Sequence, residues 1–84
     1  MSWTIVFGRS AEKDLSRLSP EMRQRIGRGI RGLADDPFEP ASKPLKGREQ
    51  WRLRIGDYRV LYTVEHAPKN LTIVAVGHRR EVYR

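Results

Sequence analysis

Two runs of alternating residues, Trp51-Arg52-Leu53-Arg54-Ile55 and Tyr58-Arg59-Val60-Leu61-Tyr62, are separated only by Gly56-Asp57. A two-residue loop with glycine first suits a type II′ turn, whose twist matches that of two antiparallel strands. Such a turn leaves one register: Ile55 opposite Tyr58, Arg54 opposite Arg59, Leu53 opposite Val60 and Arg52 opposite Leu61. Side chains alternate across a strand. Trp51, Leu53, Ile55, Tyr58, Val60 and Tyr62 therefore share one face, the core face, and Arg52, Arg54 and Arg59 share the other. Arg54 and Arg59 become cross-strand neighbours with Cβ atoms about 5 Å apart, where like charges cost about 0.2–1 kcal/mol. Stability alone would sooner place Glu or Thr there. One reading is a solvated face with splayed guanidiniums. The other is an anion site, since guanidinium is a planar, permanently charged fork that grips phosphate with two parallel bonds. The pairing favours a phosphate site.

The rest of the chain has to cover that hairpin with little material. Its 84 residues fit one domain, residues 1–84, with a single thin core. There is no cysteine, so disulfide frameworks and thiolate metal sites are excluded. His66 and His78 are the only imidazoles, too few for a self-contained zinc centre, and neither metal nor cofactor is expected. No apolar run approaches the roughly 20 residues of a membrane span, and no charged-then-apolar leader opens the sequence. The expectation is a cytoplasmic protein without a membrane partner.

Charge is unevenly spread. Residues 1–42 hold seven basic and six acidic side chains, whereas residues 43–84 hold ten and four. The net +7 thus sits mostly on the half that contains the hairpin. A basic surface attracts phosphate backbones, anionic lipid or an acidic protein, and excess Lys and Arg also serve solubility alone.

Trp3–Phe7 reads as a short strand ending at Gly8. Ser10 is a plausible N-cap for a helix carrying Ala11, Leu15 and Leu18. Ser19-Pro20 restarts the pattern, with Ser as N-cap and Pro at the first helical position. That second helix sets Met22, Ile26, Ile30 and Leu33 on one face and Arg23, Arg25, Arg28 and Arg31 elsewhere, and Asp35-Asp36-Pro37 ends it. Residues 37–50 read as a loop carrying Lys43 and Lys46, either solvated or functional. Strands follow at Trp51–Ile55, Tyr58–Glu65 and Leu71–His78, with a hairpin loop over 66–70. Leu71–Val76 is almost wholly apolar and predicts a central strand buried on both faces. The fold class is α+β: two N-terminal helices on a four-stranded, mainly antiparallel sheet in the order β-α-α-β-β-β.

The last strand runs into Gly77-His78-Arg79-Arg80-Glu81-Val82-Tyr83. Arg79 joins the arginine cluster if its strand pairs with the hairpin, and Arg80 adds a further RNA-binding candidate. Tyr83 offers a ring for stacking on a base and a hydroxyl for hydrogen bonding, or a cover for the core edge. His78 titrates near pH 6.5 when unperturbed, which suits an acid or base, although a strand-end imidazole also simply bonds nearby backbone.

On these residues the chain resembles the RelE-family toxins of type II toxin–antitoxin pairs. The match runs through the Ser10- and Ser19-Pro20-led helices, Asp36-Pro37, Lys43-Pro44-Leu45-Lys46-Gly47, the hairpin from Trp51 to Tyr62, and Val76 to Tyr83. The resemblance implies an mRNA-cleaving endoribonuclease that enters the A site of the 70S ribosome, together with a cognate antitoxin. It implies site roles for Arg52, Arg54, Arg59, Arg79 and Tyr83. Some members carry lysine where this chain has Arg52 and Arg54; arginine cannot lose its proton, so a lysine-type base is not available there. The expected chemistry is metal-independent attack of the RNA 2′-hydroxyl on the adjacent phosphate. Arg59 and Arg79 would stabilise charge, Arg52 and Arg54 grip flanking phosphates, and Tyr83 or His78 move protons. Two alternatives remain: a ParE-like toxin that poisons DNA gyrase, and a non-catalytic RNA-binding protein.

Overall fold

A computed structural model describes residues 3–37, 42–44, 50–66 and 68–78. The elements are β1 (Thr4–Phe7), α1 (Arg9–Ser16), α2 (Pro20–Asp35), β2 (Ser42–Pro44), β3 (Trp51–Ile55), β4 (Tyr58–His66) and β5 (Lys69–His78). They form one sheet in the order β1-β5-β4-β3-β2, in which β1 runs parallel to β5 and every other pair is antiparallel. The four expected strands and both helices are present. A fifth strand, β2, extends the sheet from within the segment read as a loop. It is three residues long, too short to carry an alternation, and its Pro44 is tolerated because β2 is an edge.

Helix α2 starts as its sequence directs. Ser19 Oγ accepts a bond from the Met22 N–H (3.3 Å), and Pro20 takes the first turn, where a missing N–H costs nothing. Met22, Ile26, Ile30 and Leu33 then fall on one stripe; the last three are buried. Gly29 lets α2 approach the sheet, since a Cβ there would meet Ile55 Cδ1 at 2.5 Å. Gly27 and Gly32 face no such crowding.

The start of α1 differs from expectation. Its N-cap is Gly8, with no side-chain cap bond, and Ser10 lies inside the helix. The sheet itself supplies the anchor: the Gly8 N–H donates to Ile73 O (2.8 Å) while Gly8 O accepts from the Glu12 N–H (3.0 Å). The chain passes from strand pairing directly into the first helical turn. At the far end Arg23 reaches back from α2, its Nε donating to Leu15 O (3.2 Å) and its Nη2 to Leu18 O (3.0 Å). A cation there adds donors to the carbonyls at the C-terminal end of α1 and complements its dipole.

Both helices cover one sheet face. Ala11, Ile26, Ile30, Leu33, Leu53, Val60, Tyr62, Leu71, Ile73 and Val76 form the buried cluster. Its polar groups are satisfied: Tyr62 Oη donates to Pro37 O, and the Val76 N–H donates to Asp14 Oδ2 (3.0 Å). Strand β5 is interior to the sheet, yet it is not buried on both faces. Leu71, Ile73 and Val76 are buried, whereas Thr72, Val74 and Ala75 are partly exposed. The spacing of Ile73 and Val76 comes from a bulge, because Leu61 pairs with Ala75 but Tyr62 pairs with Ile73. No helix among the described residues is long and apolar enough to cross a membrane.

Candidate nucleic-acid interface on the arginine face

The β3–β4 turn holds Gly56 at φ +59°, and no other described residue has positive φ, as a glycine-first II′ turn requires. The register follows: Ile55↔Tyr58, Arg54↔Arg59, Leu53↔Val60 and Arg52↔Leu61. Leu53, Val60 and Tyr62 are buried under the helices, with Trp51, Ile55 and Tyr58 packed at their margin. Arg52, Arg54 and Arg59 are brought together on the opposite face.

The three arginines differ in exposure. Arg54 is open to solvent, Arg52 half-buried, and Arg59 only 7% exposed. Arg59 stands across from Gly77 on its other side, which has no side chain to crowd it. Its Nη1 donates to Tyr58 O (3.1 Å) and to Gly56 O (3.4 Å), fixing the guanidinium against the turn. Its Nε is buried without a hydrogen-bond partner, and so is the Nε of Arg52. Among the described residues no carboxylate pairs with any of the three. A buried guanidinium stays charged, and taking it from water without an anion is costly. Among the described residues, the Nε atoms of Arg52 and Arg59 are thus left with unspent hydrogen-bond donors on this face.

His78 is not brought to this cluster. It is the register partner of Tyr58, on the helix side of the sheet, with the two rings edge to face at 5.8 Å between centroids. There it lines a polar cleft with Asp14, Arg17 and Leu18. Lys43, read as part of a loop, lies in β2 as the register partner of Arg52. Lys46, Arg79, Arg80 and Tyr83 fall outside the described residues.

A second surface was not read from the sequence. Ile5, Phe7, Leu15, Gly27 and Ile30 line a largely apolar cleft of about 430 Å³ between β1 and the helices, with Arg23, Gln24 and Arg31 at its rim. Phe7 is 40% and Val6 42% exposed. The available signal was the apolar run Ile5-Val6-Phe7 itself: side chains alternate, so a strand cannot turn all three toward one core.

Over residues 5–83 the sequence matches the family described as ParE toxin of type II toxin-antitoxin system, parDE. The chain belongs to this family, within the RelE/ParE superfamily. It is 32% identical over 88 residues to Toxin RelG of Mycobacterium tuberculosis, covering 100% of this chain and 99% of that protein. Its fold is similar to a chain of the RelBE2 toxin–antitoxin complex of M. tuberculosis (TM-score 0.85, 27% identity, 94% of this chain and 100% of the other). It also matches the archaeal RelE–RelB complex of Pyrococcus horikoshii in fold (TM-score 0.82, 24% identity, 98% and 100%). The protein is a toxin of a type II toxin–antitoxin system.

Proposed function

We propose that this toxin is a ribosome-dependent endoribonuclease that cuts mRNA in the A site of the 70S ribosome. The observation that carries the reading is Arg59, buried opposite Arg54 and held by the turn, with its Nε and that of Arg52 buried without an acceptor among the described residues. In the reaction the RNA 2′-hydroxyl loses its proton and O2′ bonds to phosphorus. The P–O5′ bond breaks, the O5′ leaving group takes up a proton, and the products are a 2′,3′-cyclic phosphate and a free 5′-hydroxyl. Charge builds on the non-bridging oxygens, where Arg59 and Arg79 are assigned, while Arg52 and Arg54 hold the flanking backbone. Fixed donors aimed at developing charge are worth on the order of 10²–10³ in rate each. Arg52 and Arg54 stay protonated and His78 lies across the sheet, so Tyr83 is assigned the proton-transfer and stacking role.

The cognate antitoxin is assigned to the cleft beside β1. An apolar segment would bury Phe7, Ile5 and Leu15, and acidic flanks would meet Arg23 and Arg31. High salt should loosen this contact only in part, because burial of Phe7 is insensitive to screening. Binding to DNA gyrase is the second reading, favoured by the family description itself. Primer extension on an mRNA translated in a cell-free system separates the two. New ends inside codons, present only with ribosomes and lost in Arg59→Ala, are expected. Intact mRNA together with inhibited supercoiling would overturn the nuclease in favour of gyrase.

A further inference from the structure

The Gly56–Asp57 turn is touched from two sides. From β4, Arg59 Nη1 reaches Gly56 O at 3.4 Å. From α2, Arg25 reaches the same residue: a Cβ on Gly56 would lie 3.1 Å from Arg25 Nη2 and 3.4 Å from both Cζ and Nη1. The Nη side of the Arg25 guanidinium therefore lies against the glycine. Arg25 is nonetheless exposed, and among the described residues it makes no hydrogen bond or ion pair, even with the neighbouring Asp57. A guanidinium has five N–H donors in a fixed fork. Here the group sits beside the turn, and among the described residues its donors are unspent. Arg28, one turn further along α2, is exposed and equally unpaired among the described residues.

We infer that Arg25 is a further RNA-contact residue, which carries the cationic surface of the arginine face round the hairpin tip onto α2. The inference rests on the RNA reading above. A single-stranded backbone lying on Arg54 and Arg59 that crosses the hairpin tip at Gly56 meets Arg25 on the helix side. Glycine suits this point for its left-handed φ of +59°, and a Cβ there would make the Arg25 guanidinium give way by a few tenths of an ångström.

The test is fluorescence anisotropy of a labelled single-stranded RNA oligonucleotide across a KCl series. It compares the unaltered toxin with Arg25→Gln, Arg25→Lys, Arg54→Gln and Arg9→Gln, the last an exposed arginine remote from the turn. Each lost phosphate contact on a single strand lowers the slope of log K against log salt by about 0.7. Arg25→Gln should lose that amount and bind on the order of fivefold more weakly, a cost near 1 kcal/mol. Arg25→Lys should restore the slope, and Arg9→Gln should change nothing. An unchanged slope in Arg25→Gln, with Arg54→Gln weakened, overturns this inference and leaves the RNA reading standing. A slope that Lys does not restore, with a matching fall in urea midpoint, makes Arg25 a structural prop and also overturns it. Absence of binding to the free oligonucleotide by the unaltered protein overturns this inference, whereas the ribosome-dependent reading stands or falls on primer extension.

Discussion

The two faces of the sheet follow opposite rules. On the helix side, polar groups find partners inside the protein: the Tyr62 hydroxyl binds Pro37 O and the Val76 N–H binds Asp14. On the arginine side, two Nε atoms are buried without partners among the described residues, and two arginines are cross-strand partners. A sheet built for stability alone would treat both faces as it treats the first. The contrast separates the face that holds the fold from the face proposed to meet RNA, because only the second leaves buried donors unspent among the described residues.

Mutations on each face should therefore move different measurements. The largest effect on the first face is expected from Ile26→Ala, which empties a fully buried site and should cost about 2–5 kcal/mol in urea unfolding. Cleavage per folded molecule should stay near the starting value. Arg59→Ala is the counterpart on the second face. Ribosome-programmed cleavage should fall on the order of 10²–10³, with unfolding changed by no more than about 1 kcal/mol; a large stability loss would show that Arg59 is a core residue after all. Tyr62→Phe comes next, at about 1–3 kcal/mol from stranding a buried acceptor, again without a kinetic defect. Phe7→Asp should leave both unfolding and cleavage almost untouched while weakening antitoxin capture, on the order of tenfold for about 1.4 kcal/mol of lost burial. The smallest effect sharpens the contrast most. Arg54→Glu replaces a repulsive cross-strand pair by an attractive one and should stabilise the protein by about 0.2–1 kcal/mol, while cleavage is lost. A variant that is both firmer and inactive would separate the two faces in one molecule.

The hairpin was legible because Gly56-Asp57 admits only one register, and α2 because Ser19-Pro20 and its apolar spacing agree. The start of α1 was not, because sheet pairing through Gly8 replaces the side-chain cap that Ser10 advertised. Strand β2 has too few residues to show a period. The side on which His78 stands depended on the bulge in β5. Counted by twos from Leu71, His78 would share the face of Thr72 and Val74; the extra residue moves it to the helix side and sets Gly77 beside Arg59. Nothing in the run Leu71–Val76 marks that insertion. The arginine face was visible as a pattern, but the burial of Arg59 and the reach of Arg25 depend on how the turn packs against α2.

The parallel pairing of β1 with β5 has a consequence for how this toxin is made. Thr4 finds its partner at Asn70, so the sheet cannot close until the last strand has emerged. While β5 is still inside the ribosome that synthesises it, Ile5 and the helices have no Leu71, Ile73 or Val76 to pack against. Long-range pairings of this kind form late, after the loop between them has been closed. A protein proposed to attack translating ribosomes is thus kept from maturing on its own. Its activity begins only after β5 has left the tunnel, a delay in which a partner made alongside it has time to arrive.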